Sequence, residues 1–336
     1  MNKFKNIKFI KFDINNRVTL WERYVDNIDS QHLSLALNPS FAQIFSNLFG
    51  MTSEYYLIKD EELIIGLIVG LKKLDKYYSL PVLSNGGIFL FKGINLDLNK
   101  LYHLFIFKLN SKFEIKSFNK FSKFNFSKKV TIYKELPEND ELLMSSFKSK
   151  LRSQIKKGIK NELTVKINHS DSFNEFYTLY SKSLHRLGTP VNGKDYFKEF
   201  LNQYQNGFIS FFTIYYKNQF IGASMCFSYR SFFEVMWAAT DPKYNNLSTN
   251  MLLYYEMMSY AIQKKMKLFS FGRSDIGSNS LRFKKQWDVK VVPIFFNYKQ
   301  KTNNIRKFKL LSKIWKFIPY RLSLIIGPLI RKKLIN

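Results

Sequence analysis

Apolar and polar positions along this chain follow two periods, and the elements they predict come in nearly the same order twice. In the first half, Ile7 to Phe12 reads as a short strand, while Val18 to Ile28 and Phe41 to Phe49 have helical spacing. Glu54 to Lys59 and Leu63 to Leu71 are apolar runs around Asp60, Glu61 and Glu62, a hairpin with a polar turn. Ser79-Leu-Pro-Val-Leu-Ser-Asn-Gly-Gly-Ile88 interrupts the pattern. Pro81 cannot donate to a central ladder and Gly86-Gly87 permits positive φ, so this stretch predicts a loop with a special backbone. A helix and two strands then lead to Pro137.

The second half is clearer. Ser172-Phe-Asn-Glu175 has the form of a capping box, and Phe173, Phe176, Tyr177, Tyr180 and Leu184 follow at helical spacing. A second helix is expected over Lys194 to Tyr204. Phe208 to Tyr216 and Phe220 to Tyr229 form a hairpin about Lys217-Asn218-Gln219, and Phe232 to Ala239 a third strand. Met251, Tyr255, Met258 and Ile262 mark an amphipathic helix for which Ser248 is the expected cap. Leu268 to Phe271, Ser280 to Trp287 and Val291 to Tyr298 predict a strand, a short helix and a last strand. This order predicts an α/β (α+β) fold with a mixed sheet. Between the halves, Phe147, Leu151, Ile155 and Ile159 form one row of a helix and Lys148, Arg152, Lys156 and Lys160 the adjacent row, so the apolar row is expected to dock while the basic row faces a phosphate-bearing ligand.

Composition narrows the class. A chain of 336 residues allows two compact domains, and 46% hydrophobic with 17% aromatic residues excludes a disordered protein. Cys226, the one cysteine, excludes an intrachain disulfide framework. The charge of +28 favours anionic partners: nucleic acid, a lipid surface or phosphate-bearing substrates. Part of it is compositional, since the chain is crowded with Lys, Asn, Ile, Phe and Tyr while only ten residues are Arg. Three stretches carry most of the excess: Lys108 to Lys134, Lys148 to Lys160, and Lys299 to the end, the last two without an acid. The first sets Phe118, Phe121, Phe124 and Phe126 among lysines and reads as an edge strand with solvated flanks. In the third, Ile314 to Ile330 interleaves Trp315, Phe317 and aliphatic residues with Lys316 and Arg321, too short and too charged to span a bilayer. Two readings stay open: a basic amphipathic segment lying on an anionic membrane, and a C-terminal helix packed on its domain, broken by Pro319, Gly327 and Pro328. Met1 to Asp13 lacks the apolar core of a secretory signal, so the expected location is cytoplasmic, at the inner face of the membrane if the tail binds lipid.

Several chemistries lack their residues. Four histidines (His32, His103, His169, His185) without close spacing make a metal site unexpected. The chain also has no phosphate-binding P-loop, no strand-linked G-x-G-x-x-G and no G-x-S-x-G elbow. Polar residues at element ends remain. His185 and Arg186 close a helix, where they also suit ordinary C-terminal capping, and Trp237-Ala-Ala-Thr240 closes a strand. Phe271-Gly-Arg-Ser-Asp275 ends another, and Arg282-Phe-Lys-Lys-Gln-Trp287 adds three cations just after it. Arg273, Ser274 and Asp275 with Lys284 are therefore the leading site candidates, since binding and catalysis concentrate on loops held at strand ends. Pairing of Arg273 with Asp275 is the plainer alternative.

These residues also carry a resemblance. Arg152-Ser-Gln-Ile-Lys-Lys-Gly158, His185-Arg-Leu-Gly-Thr-Pro190, Phe271-Gly-Arg-Ser274 with Phe283-Lys-Lys-Gln-Trp287, and Ser79-Leu-Pro with Gly86-Gly87 resemble the FemAB-related proteins of the exosortase and exopolysaccharide-associated type, a group similar to the peptidoglycan-bridge aminoacyltransferases. Ile314-Trp-Lys-Phe-Ile-Pro319 and Gly327-Pro328 extend the resemblance to the tail. It implies two tandem GNAT-like domains, each a mixed, mostly antiparallel sheet flanked by helices. With the repeated halves, that gives residues 1–140, residues 141–300 and a basic tail at 301–336. It also implies acyl transfer to an amine of a cell-envelope precursor, peptidoglycan or exopolysaccharide, from an acyl-CoA or aminoacyl-tRNA donor, with no bound cofactor. In bridge-forming relatives a Phe-Lys pair lies beside the acceptor, so Phe283 and Lys284 inherit that role. One departure is that Asn245-Asn-Leu-Ser-Thr-Asn250 has no glycine where a CoA enzyme of GNAT type carries its pyrophosphate loop, which weakens the CoA reading.

Acyl transfer to an amine needs orientation, a proton acceptor and donors for an oxyanion. The expected acceptor is Asp275 or Glu256. Lys284, Arg273, Arg152 and Lys156 are the expected clamps on phosphates of the donor or of the acceptor. Two rival readings are a nonenzymatic basic module for nucleic acid or anionic membrane, and an inactive scaffold in envelope-polymer assembly.

Overall fold

The computed structural model of the chain describes residues 6–168, 171–300, 312 and 314–335. Its first half opens with Ile7–Lys11 (β1), Ile14–Val25 (α1) and Pro39–Phe49 (α2). Asp13 caps α1 by accepting from the Asn15 N–H, and Asn38 caps α2 by accepting from the Ser40 N–H. Thr52–Asp60 (β2) and Leu63–Lys73 (β3) are the expected hairpin, with Glu61 at φ +53 in its turn. Lys76–Tyr78 (β4), the irregular loop, Ile88–Leu90 (β5), Leu98–Leu109 (α3), Lys112–Ser117 (β6) and Phe124–Glu135 (β7) follow.

The second half runs Asp140–Ser146 (α4), Ser149–Lys160 (α5), Thr164–Asn168 (β8), Phe173–Leu187 (α6), Lys194–Gln203 (α7), Gly207–Tyr216 (β9), Gln219–Tyr229 (β10), Phe232–Thr240 (β11), Thr249–Gln263 (α8), Leu268–Asp275 (β12), Asn279–Lys284 (α9), Lys290–Tyr298 (β13) and Tyr320–Ile335 (α10). Lys217 and Asn218 both have positive φ, the backbone a tight two-residue hairpin turn demands.

Four local expectations are corrected. The capping box does not form: Ser172 makes no side-chain cap, its Oγ accepting instead from Asn168 Nδ2 at 2.7 Å, while Glu175 accepts from the Tyr215 hydroxyl. Ser248 precedes α8 in the left-handed region at φ +64 and makes no side-chain cap either. The apolar row of the inter-half helix docks through Phe147, Leu151 and Ile155, but Ile159 is exposed and Gly158 is buried in its place. A Cβ at Gly158 would stand 2.9 Å from Leu252 Cβ, so the absence of a side chain lets α5 lie close on α8. Finally, residues 118–123 are irregular and β7 is no edge: β13 flanks it on one side, and the Ile276 N–H donates to Lys128 O on the other.

The chain divides into two compact units. Met1–Thr131, Arg273–Ser278 and Val291–Thr302 form the first. Its strands run β1-β2-β3-β4-β6-β13-β7; β1–β2, β2–β3, β3–β4 and β6–β13 are antiparallel, β4–β6 is parallel, and β5 pairs antiparallel with β3. α3 covers one face, its Phe105 packing in a cluster with Tyr56, Ile58, Tyr77, Phe113 and Phe121. α1 and α2 pack toward β3, with Trp21 Nε1 donating to Leu37 O at 2.9 Å. Ile132–Gly272, Asn279–Lys290 and Asn303–Asn336 form the second unit. Its strands run β12-β11-β10-β9-β8, antiparallel except for the β11–β12 pair. α6 packs on β10 and β11, and α8 touches β9 and β11.

Candidate active site

In the second unit, the chain reaches Phe283 and Lys284 through a short structural sequence. Leu268 to Phe271 are buried in β12, and Gly272 follows at φ +66, where a Cβ would stand 3.0 Å from Val235 O. α9 then sets Leu281 into the core and brings Lys284 back, so that its Nζ donates to Phe271 O. Lys284 is only 6% exposed. Aromatic rings build the seat beneath it: Tyr254 stacks on Phe271 with centroids 5.4 Å apart, Phe283 meets Tyr254 edge-on at 5.1 Å, and Trp287 packs against Phe147 edge-on at 5.4 Å. Burial pushes the Tyr254 hydroxyl and the Cys226 thiol up, so both stay neutral. Cys226 Sγ lies 3.4 Å from Met257 Sδ inside the core, in keeping with a structural rather than reactive cysteine.

Most of the other expected residues of this unit have local partners. Glu256, on α8, is partly buried; burial first and the Asp140 carboxylate second hold its carboxyl above the usual range. Asp140 accepts from Ser259 Oγ at 2.7 Å through one oxygen, and its other oxygen is buried without a hydrogen bond. Arg152 turns back to donate to Phe147 O, closing the end of α4, while Lys156 is exposed. His185 Nε2 lies 2.7 Å from Ile318 O and Arg186 is exposed. Trp237 belongs to an aromatic core with Phe197, Phe200 and Phe227. Backbone ahead of α8 is pinned by Thr249 Oγ1 donating to Tyr244 O at 2.8 Å.

Arg273, Ser274 and Asp275 belong to the first unit. Asp275 pairs with Lys129 at 2.6 Å on the exposed side of β7, and the charge of Arg273 opposes that of Lys116. Ser274 is buried. Lys116 is a residue the sequence reading missed. It is 6% exposed on β6, its N–H donates to Ser79 Oγ at 2.9 Å, and its Nζ donates to Leu80 O and Leu83 O on either side of Val82 at φ +55. Burial first, then the Arg273 charge, hold its ammonium well below the usual lysine range. One signal was present, the special loop at Ser79–Ile88, but nothing in sequence says which lysine of a basic run it encloses.

Residues 145–285 match the Acetyltransferase (GNAT) domain family. Among solved structures, FemX aligns with a TM-score of 0.60 at 14% identity, over 91% of this chain and 100% of its own. L-PGS from Bacillus licheniformis aligns with a TM-score of 0.52 at 9% identity, over 91% and 98%. The C-terminal domain of a protein assigned as a lysylphosphatidylglycerol synthetase from Agrobacterium fabrum gives 0.51 at 11%, over 84% and 92%. No curated protein matches the chain. Residues 145–285 thus carry an acyltransferase domain of GNAT type, and the chain as a whole shares the fold of FemX. The domain match favours an acyltransferase over the reading as a nonenzymatic basic module.

Proposed function

We propose that the protein transfers an aminoacyl group from an aminoacyl-tRNA to an amine of a phosphate-bearing cell-envelope precursor, peptidoglycan or exopolysaccharide, at the cytoplasmic side of the membrane. The observation that carries this reading is the buried Lys284 beside Phe283 on its aromatic seat, inside the segment that matches a GNAT domain. Aminoacyl transfer is favoured by the FemX-like fold and by the likeness to proteins named for lysylphosphatidylglycerol synthesis. It is also favoured by the segment before α8, which lacks glycine and holds Ser248 in a left-handed conformation where a CoA pyrophosphate loop belongs. An acyl-CoA donor is the second reading, supported by the acetyltransferase match itself.

In this reading the acceptor nitrogen attacks the ester carbonyl carbon, a C–N bond forms, and the ester C–O bond breaks to release the tRNA. The nitrogen loses a proton to a carboxylate, and the departing ribose oxygen takes one up. Orientation of two bound reactants is the largest contribution available, about 7–11 kcal/mol. The Lys284 ammonium stabilises negative charge developing on the carbonyl oxygen, and Phe283 packs against the acceptor. Glu256 suits the proton acceptor better than Asp275, because its raised proton affinity brings it closer to working pH, whereas Asp275 is exposed and ion-paired.

The direct test is turnover with candidate donors and envelope precursors. Lys284→Ala is expected to reduce kcat by about 10²–10³-fold, the cost of one oxyanion donor, with a lowered thermal midpoint because Phe271 O loses its donor, and Glu256→Gln to reduce it by about 10²-fold or more with an unchanged midpoint. Rates within a factor of two of wild type for both variants, with folding intact, overturn the site. Mass spectrometry of envelope glycans and peptides from cells lacking the protein is expected to show the loss of one amino-acid mass; loss of an acyl mass instead selects the CoA donor.

A further inference from the structure

The C-terminal segment is docked by one face only. Trp315, Ser323 and Gly327 are buried, the Ser181 and Tyr320 hydroxyls are 2.7 Å apart, and Arg331 Nε donates to Pro190 O at 2.8 Å. Gly327 has room for no side chain, since a Cβ there would meet Val191 O at 2.9 Å. On the opposite side of α10, Leu322, Ile325 and Leu329 fall at i, i+3 and i+7 and are 44%, 67% and 62% exposed. Phe317, just ahead of the helix, is 87% exposed and Ile314 54%. Leu187, at the end of α6 where Gly188 backs onto Ser312 and Lys316, is exposed as well.

Charge says what this stripe suits. Arg321 and Lys332 are exposed along its flank, Lys316 stands beside Phe317, and Arg186 beside Leu187. Residues 299 to 336 contain no acid. A second copy meeting this surface through a two-fold axis would set the same cations against one another, and large apolar side chains left in a row on a folded surface mark a contact site. The helix is also preformed: its docked face holds it in place and turns the apolar stripe outward. No helix among the described residues is long and apolar enough to cross a membrane.

We propose that Phe317 and the Leu322–Ile325–Leu329 stripe form a lipid-contact surface that seats the protein on an anionic bilayer, the apolar side chains entering the acyl boundary while Lys316, Arg321 and Lys332 meet headgroup phosphates. This holds whichever donor and acceptor the enzyme uses. The unusual feature is the arrangement: the amphipathic helix is stapled to its domain through Tyr320, Gly327 and Arg331, so contact with lipid fixes the orientation of that domain instead of merely tethering it.

Vesicle co-sedimentation of the full-length protein tests it, with phosphatidylglycerol–phosphatidylcholine mixtures against phosphatidylcholine alone. Wild type is expected to bind the anionic vesicles and to bind less as salt rises. Ile325→Ser/Leu329→Ser is expected to lose about tenfold or more in affinity with an unchanged thermal midpoint, because both side chains already face solvent. Phe317→Ser, outside the helix, provides a second reading if the double variant misfolds. Arg321→Gln/Lys332→Gln is expected to weaken binding and flatten its salt dependence. The proposal is overturned if wild type prefers no vesicle, if both apolar variants bind like wild type, which leaves the general +28 charge as the cause, or if wild type is a dimer that Ile325→Ser/Leu329→Ser converts to monomer.

Discussion

Among single residues, Lys116 makes the sharpest case for what burial does to a charge. Its Nζ donates to two backbone carbonyls, and burial first and the Arg273 charge second, opposed weakly by Glu114, hold the amine at a depressed proton affinity in the folded state. The sign follows from linkage. Unfolded chains take up a proton that the folded state resists, so wild-type stability rises with pH toward the ordinary lysine range and falls as pH drops. Lys116→Met removes that dependence and leaves Leu80 O and Leu83 O buried without their donor, at about 1–3 kcal/mol each. Thermal melts are expected to show Lys116→Met less stable than wild type by a margin that widens from about pH 7 to about pH 10. A margin that shrinks over that range means the lysine is charged in the fold.

At the scale of elements, the contact between α5 and α8 depends on a missing side chain. Gly158 weakens α5 by helix propensity, about 1 kcal/mol relative to Ala, yet it sits where a Cβ would press on Leu252, itself buried. Close approach of the two helices outweighs the propensity. Gly158→Leu is expected to cost about 1–3 kcal/mol through overpacking, and Gly158→Leu/Leu252→Ala to recover part of it, as read by denaturant midpoints. An undiminished midpoint for the single variant shows that α5 can shift without loss. α5 also shows how a periodic pattern misleads at its end. Phe147, Leu151 and Ile155 face the core as their spacing implies, but Ile159 faces water.

At the scale of the whole molecule, the order of elements along the chain and the membership of the compact units differ. Residues 273–278 and 291–302 belong to the first unit although they come late in the sequence. β13 pairs with β6 from Phe295↔Ser117 to Tyr298↔Glu114. Asn297 accepts from the Phe121 and Ser122 N–H groups at 3.1 and 3.2 Å and donates to Asn119 O at 3.1 Å, so one buried amide organises the whole turn between β6 and β7. A fragment of residues 1–131 therefore lacks a central strand of its sheet. It is expected to show no cooperative thermal transition by circular dichroism, whereas a cooperatively folded fragment overturns the assignment of β13 to this core.

The hairpins, the amphipathic helices, the loop at Ser79–Ile88 and the repeat of the two halves were legible from periodicity, because hydrophobic burial imposes a period on any element with one wet face. The Phe283–Lys284 pair was legible only through its resemblance to a family; spacing alone made it three cations near a strand end. Caps at Ser172 and Ser248 were misread because a competing partner or a left-handed backbone, visible only in the fold, took the side chain elsewhere. Lys116, Asn297 and Gly158 stayed hidden for one reason: each owes its role to a neighbour distant in sequence, a loop turned back over a strand, a strand returning from the far end of the chain, a helix crossing close. Local sequence determines which elements form and which faces are apolar; only tertiary contact decides which charge is buried, which carbonyls it must satisfy and which apolar stripe is left facing out.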